Sequence, residues 1–194
     1  MTATPRADAA RNRDRLLATA RLMVAAGDLQ LQLNDVARRA GMGVGTVYRH
    51  FPNRRALVEA LADGTFAALV DDAHAASQHD NAWAGVELLL QALLTRQLAE
   101  PTLAEVLSTG PDLDATPGTT AHRDEFGQLA QIVLGRARRG GELRPGLTDE
   151  DLRHLVCGVV FALRIDDAPQ GRVDRYLRVL LDGIRATTPA LPAR

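Results

Sequence analysis

Residues Leu33 to Phe51 read LNDVARRAGMGVGTVYRHF, and the fold is decided in this stretch. Val36, Ala40 and Val47 recur at spacings that give two short helices, over 33–40 and 44–50, a small shared core. Ala37 is small where such helices approach closely, and Gly41 supplies the tight turn, since glycine enters left-handed backbone without a steric cost. The spacing is that of a helix-turn-helix. Its second helix is left free to present Val44, Thr46, Tyr48, Arg49 and His50, and a helix of this diameter fits the major groove of B-form DNA.

Two short helices around a glycine turn also occur in proteins that bind no DNA, so the neighbourhood has to discriminate. All 23 cations of the chain are arginine and none is lysine. Residues 1–60 carry ten arginines against five acids, and residues 61–194 carry thirteen against nineteen, so a formal net charge of -1 conceals a basic segment and an acidic remainder. The helix-turn-helix lies in the basic segment. Tyr48, His50 and Arg54 offer phosphate donors beside it, and Asn53 starts a further helix whose free amides would suit a phosphate.

The rest of the composition excludes several classes. At 46% hydrophobic and 24% charged residues, the 194-residue chain buries a core and is not of disordered type. A single cysteine excludes an intrachain disulfide framework and a cysteine-rich zinc module. No apolar run approaches the roughly 18 residues of a membrane span, and Met1 to Arg15 lacks the apolar middle of a signal peptide. A cytoplasmic protein is expected.

Outward from the motif, apolar residues recur at spacings of three and four, and the expectation is an all-α fold of about nine helices. Leu16, Ala20, Met23 and Val24 form the stripe of a first helix ending at Gly27. Asn53 caps a long helix to about Ser77; further helices are expected over 81–99, 102–108 and 121–139, with a loop over 110–119. Thr148, with Asp151 three residues on, opens the next helix in the manner of a capping box. The last two helices are the most apolar, with stripes Leu152, Leu155, Val156, Val159, Val160, Leu163 and Val173, Leu177, Leu180, Leu181, Ile184. The domain reading is an arm over 1–9, a helix-turn-helix domain over 10–52, a larger helical domain over 53–187, and a flexible tail over 188–194.

Gly27, Val36-Ala37, Ala40-Gly41-Met42, Gly45-Thr46-Val47-Tyr48, His50-Phe51-Pro52 and Leu57 resemble the N-terminal signature of the TetR family of bacterial transcriptional regulators. The resemblance covers about residues 10–60. Gln32 and Gly43 depart from it where the family usually has Thr or Ser at the start of the two helices, and Arg54 stands where it usually has Lys. The resemblance implies that Val44, Gly45, Thr46 and Arg49 face bases, with Gly45 allowing close backbone approach and Arg49 pairing with a guanine edge. Tyr48, His50 and Arg54 would hold phosphates, and Arg11 and Arg13 lie where they would touch the DNA backbone or minor groove, or else serve as solvated surface charge.

For the remainder, the resemblance implies a homodimer built on the last two helices, through Leu152, Val156, Val159, Val160, Leu163, Leu177, Leu180, Leu181 and Ile184. It also implies a pocket for a small, largely apolar effector, for which Phe66, Trp83, Phe126 and Phe161 are the wall candidates and Arg96, His122 and Cys157 the polar ones. The function expected is a repressor that binds a palindromic operator as a dimer and is released by its ligand. The alternatives are a constitutive DNA-binding regulator and, more remotely, an all-helical enzyme using His154 and Cys157. No cofactor or metal is expected, since the group Asp71, Asp72, His74, His79 and Asp80 fits no ligand spacing.

Overall fold

A computed structural model of the chain describes residues 5–165 and 170–186, so the expected tail over 188–194 and the first four residues of the arm lie outside the described residues. Among the described residues there are nine α-helices: α1 Pro5–Ala25, α2 Leu33–Ala40, α3 Val44–His50, α4 Arg54–Gln78, α5 Ala82–Ala99, α6 Pro101–Ser108, α7 Pro117–Arg139, α8 Asp149–Arg164 and α9 Gln170–Ile184. A 3-10 turn occupies Pro111–Leu113, and one isolated antiparallel bridge joins Leu143 to Arg185. The fold is all-α.

The chain divides into two compact units: Met1–Gly64 with Pro101–Thr119, and Thr65–Glu100 with Thr120–Arg194. In the first, α2 packs on α1 and α3. Leu16, Ala20, Met23, Leu31, Val36, Val47, Phe51 and Leu57 are buried in it, and so are Leu103 and Val106 of α6. α1 ends where Gly27 takes φ +84, with Gly27 N–H on Val24 O at 2.9 Å and Asp28 N–H on Met23 O at 2.9 Å. These bonds satisfy carbonyls the helix end would leave bare. α2 ends in the same way: Gly41 has φ +64 and Met42 N–H reaches Ala37 O at 2.9 Å.

In the second unit α5 packs on α8 and α9, which pack on each other. A Cβ added at Gly85 of α5 would lie 2.7 Å from Ala76 O, so the bare glycine lets α5 meet α4 backbone to backbone. Thr148 and Asp151 form the expected capping box, Thr148 Oγ1 accepting from Asp151 N at 3.1 Å and Asp151 Oδ2 from Thr148 N at 3.0 Å. α7 begins at Pro117, four residues before the sequence pattern suggests. Proline is favoured there, because its fixed φ suits a first helical turn and its missing N–H would be unpaired anyway.

Candidate nucleic-acid interface

α3 is held by one buried side chain. Val47 is fully buried against the Val36, Ala37 and Ala40 face of α2, while Val44, Gly45, Tyr48 and Arg49 are exposed and Thr46 and His50 half-buried. Thus the six expected groove residues lie on the short helix around that single anchor. Val44 and Tyr48 are 46% and 47% exposed, unusual for large apolar or aromatic side chains and natural for a face that meets a partner. Nothing lies within 4 Å of the position a Cβ would take at Gly45, so its bareness answers no packing need inside the chain.

The N-terminal ends of both motif helices lack side-chain caps. Gln32 and Gly43 have extended backbone; the Gln32 side chain bonds no helix amide, and Gly43 has no side chain to offer. Thr46 N–H instead reaches Gly43 O at 2.9 Å. At the other end, Phe51 N–H bonds Val47 O at 2.8 Å, and the Arg13 guanidinium lies 5.4 Å above the buried Phe51 ring. Arg13 thus contacts the end of α3 from α1.

The basic residues separate by their partners. Arg11 pairs with Asp8, Arg38 with Asp35 at 2.8 Å and Arg39 with Asp28 at 3.6 Å. Among the described residues Arg49 has no such partner, and it projects from the exposed face of α3. Arg54 is turned inward: its Nη1 and Nη2 grip Glu105 at 2.5 and 2.8 Å, and its Nε and Nη2 donate to the carbonyls of Gln30 and Leu29 at 2.6 and 2.7 Å.

A second buried network lies behind it, and sequence reading missed it. Glu59 is 1% exposed and accepts from Arg55 Nε at 2.6 Å, Ala115 N–H at 2.7 Å and Thr116 Oγ1 at 2.8 Å. Arg55 also reaches Thr109 Oγ1 at 2.8 Å and Asp114 Oδ1 at 3.0 Å. Burial pushes the Glu59 carboxyl upward, but the bonds from Ala115, Arg55, Thr116 and Thr119 outweigh it and hold the group below the usual glutamate value. The i,i+4 spacing of Arg55 and Glu59 was the one visible signal; their partners fifty residues on left none.

The aromatic residues expected around an effector differ in exposure. Phe66 and Trp83 are buried, Phe126 is half-buried, and Phe161 is 67% exposed. Phe66 stacks against His122 at 5.6 Å, whereas Trp83 Nε1 donates to Glu87 Oε1 at 2.5 Å under the Arg185 guanidinium, 4.6 Å from the ring centroid. Arg96 is bonded to Asp72 at 2.8 Å, and Cys157 is a half-buried free thiol.

On α8 and α9 the expected pairing residues mostly face inward: Leu152, Val156, Val160, Leu163, Leu177, Leu180 and Ile184 are buried in the chain's own core, and Val159 and Leu181 are half-buried. The other stripe is bare. Leu155, Phe161, Ile165 and Val179 are 45%, 67%, 73% and 66% exposed. Leu155 and Val179 line a groove of about 740 Å³ whose floor is made small by Gly158, Ala162 and Gly183 and whose polar members are Arg144, His154 and Tyr176.

Among the described residues no helix is long and apolar enough to cross a membrane, and no group of three or more His, Cys, Asp or Glu is placed to hold a metal ion. A short helix anchored by one valine, with its polar and aromatic face bare in the arginine-rich segment, has the arrangement of a helix-turn-helix. Residues 16–61 match the profile of the bacterial regulatory proteins of the tetR family. That stretch carries the N-terminal DNA-binding domain of the TetR family.

Solved structures agree with that fold. A TetR transcriptional regulator from Streptomyces coelicolor is 24% identical, with 91% of this chain and 99% of that one covered and a TM-score of 0.55. The ketosteroid transcriptional regulator KstR2 of Mycobacterium tuberculosis is 22% identical over 89% and 94% of the two chains, with a TM-score of 0.62. The TetR family regulator PfmR from Thermus thermophilus is 16% identical over the whole of both chains, with a TM-score of 0.60. No curated protein sequence matches the chain.

Proposed function

We propose that this TetR-family regulator binds a palindromic operator as a homodimer, with α3 of each protomer in the major groove, and represses transcription there until a small, largely apolar ligand releases it. The observation that carries the reading is Arg49, an exposed guanidinium without an intramolecular partner among the described residues, on a helix whose bare face also holds Val44, Gly45, Thr46, Tyr48 and His50. A free guanidinium fork matches O6 and N7 of guanine, and the open position at Gly45 admits close approach of a DNA edge. Tyr48 and His50, at the end of the same helix, are the phosphate donors.

The dimer is assigned to the bare stripe of α8 and α9, centred on Leu155, Val159 and Val179. An exposed apolar groove of this extent is a recurrent mark of a protein interface, and the glycines and alanine at its floor permit close helix approach. Two copies supply two reading heads, as a two-fold operator requires. Ligand release is a difference in affinity between two conformers: a ligand preferring the one with misplaced heads lowers DNA affinity by that difference. The buried Phe66 and Trp83 are the wall candidates retained for it, and the place of action is the cytoplasm, with the DNA.

The test is selection of duplexes from a random-sequence pool by the full chain, followed by footprinting on the enriched sequence. Two symmetry-related half-sites separated by roughly one helical turn, or a multiple of it, are expected. Enrichment of nothing above the starting pool rejects the reading, and a single unrepeated half-site rejects the dimer.

A further inference from the structure

Arg54 stands at the first position of α4, beside the DNA-reading elements, where a phosphate contact would be the ready assignment. Its hydrogen bonds point elsewhere. Four contacts, to Gln30 O, Leu29 O and both Glu105 carboxylate oxygens, lie at 2.5 to 2.8 Å, and a guanidinium has five N–H donors in all. The grip on Glu105 is bidentate, a geometry that lysine cannot reproduce. The two carbonyls belong to the turn from α1 into α2, directly before Leu31. That residue has φ +46 and a fully buried side chain, so a branched residue is held in a left-handed conformation that it rarely adopts. The direction in which the chain leaves this turn fixes α2, and α2 carries α3.

We propose that Arg54 is a positioning residue of the reading head and not a DNA ligand, and that Glu105 of α6 is its indispensable second half: the pair holds the Leu29–Leu31 turn in its strained form and so sets the angle at which α3 is presented. The proposal rests on the reading of α3 as the DNA-contacting helix. It also makes α6 a structural part of the reading head, in keeping with the grouping of Pro101–Thr119 with the N-terminal residues.

The two roles of Arg54 differ in sign at Glu105. If Arg54 gripped phosphate, Glu105 would compete with DNA for it, and Glu105→Gln would tighten binding. If Arg54 positions the turn, Glu105→Gln loosens the brace and weakens binding.

The experiment compares wild type, Arg54→Lys, Arg54→Gln, Glu105→Gln and the double Gln variant as full chains on the duplex that wild type enriches. Binding is measured over a series of salt concentrations, well below the lowest melting temperature in the set. Glu105→Gln and Arg54→Lys are both expected to weaken binding by roughly 2- to 100-fold, the range of coupling between contacting residues, with the double variant no worse than Arg54→Gln. The salt slope should stay at the wild-type value, whereas losing one phosphate contact lowers it by about 0.9. Amide hydrogen exchange over residues 29–36, measured without DNA, should quicken in Glu105→Gln. Tighter binding by Glu105→Gln, a salt slope lower by about one in either Arg54 variant, or unchanged exchange would overturn the proposal. Should wild type enrich no duplex, the DNA-reading role of α3 fails, while the exchange measurement still decides whether the pair braces the turn.

Discussion

At the scale of single residues, Gly45 separates folding from recognition. In a helix interior glycine costs stability relative to alanine, and nothing in this chain fills the space where a Cβ would lie. Gly45→Ala is therefore expected to raise stability by about 0.5–1 kcal/mol, read from the midpoint of urea unfolding. The same methyl group would stand between the helix and the groove, and binding to the enriched duplex should fall by more than about tenfold, the cost of a misfit of roughly 1.4 kcal/mol. A variant that is more stable and binds equally well would remove Gly45 from the interface. The residue scale is also where sequence reading was least complete. Val36, Ala37, Ala40 and Val47 were legible as core because their spacing is local. The partners of Arg13 and Arg54 were not legible, because an arginine's partner is chosen by tertiary structure: the Phe51 ring at the end of α3 for one, a turn and a glutamate 51 residues away for the other.

At the scale of elements, local signals did well wherever they were sufficient. The bounds of α2 and α3 follow from Gly41, Gly43 and the apolar spacing, and Asn53 caps α4 by accepting from Ala56 N–H at 2.8 Å. Asn81 caps α5 by accepting from Ala84 N–H at the same distance. What lay beyond local pattern was the face each helix turns to its neighbours. On α8 two apolar stripes exist, and periodicity alone does not distinguish the one that enters the protomer's core from the one left bare.

The Glu59 network is a second non-local feature, and it carries a pH dependence. A carboxyl held below its ordinary value in the folded chain contributes stability that is fully present above the unfolded value, about 4.3, and is lost as pH falls through the lower folded value. Wild type should therefore lose stability more steeply than Glu59→Gln below about pH 4.5. At neutral pH, Glu59→Gln should cost about 2–3 kcal/mol, because Arg55, only 16% exposed, is left with a buried charge less well compensated. Denaturant titrations of both proteins across that pH range decide it; parallel curves would remove the charge from the account.

At the scale of the whole molecule, the excess of arginine lies in the segment that holds α3. Under the proposed function a single α3 is too small to specify an operator, so affinity is expected to depend on pairing. Val179 is 66% exposed, and Val179→Glu places a charge on the proposed pairing face without disturbing the core. The variant is expected to sediment as a monomer with an unchanged melting curve at matched low concentration, and to bind the two-fold duplex on the order of 100-fold more weakly through loss of the second, tethered head. A dimer that persists in this variant would move the interface off α8 and α9.

The central claim is that α3 reads sequence through Arg49. Its most direct test is the ratio of affinities of wild type and Arg49→Ala for the enriched duplex and for a scrambled duplex of equal length, at one fixed salt concentration. Wild type should prefer the enriched duplex by at least roughly 1000-fold. Arg49→Ala should lose about 1–3 kcal/mol of that preference per guanine contact while its affinity for the scrambled duplex changes little. Equal losses on the two duplexes, or a preference that survives the substitution intact, would contradict the claim.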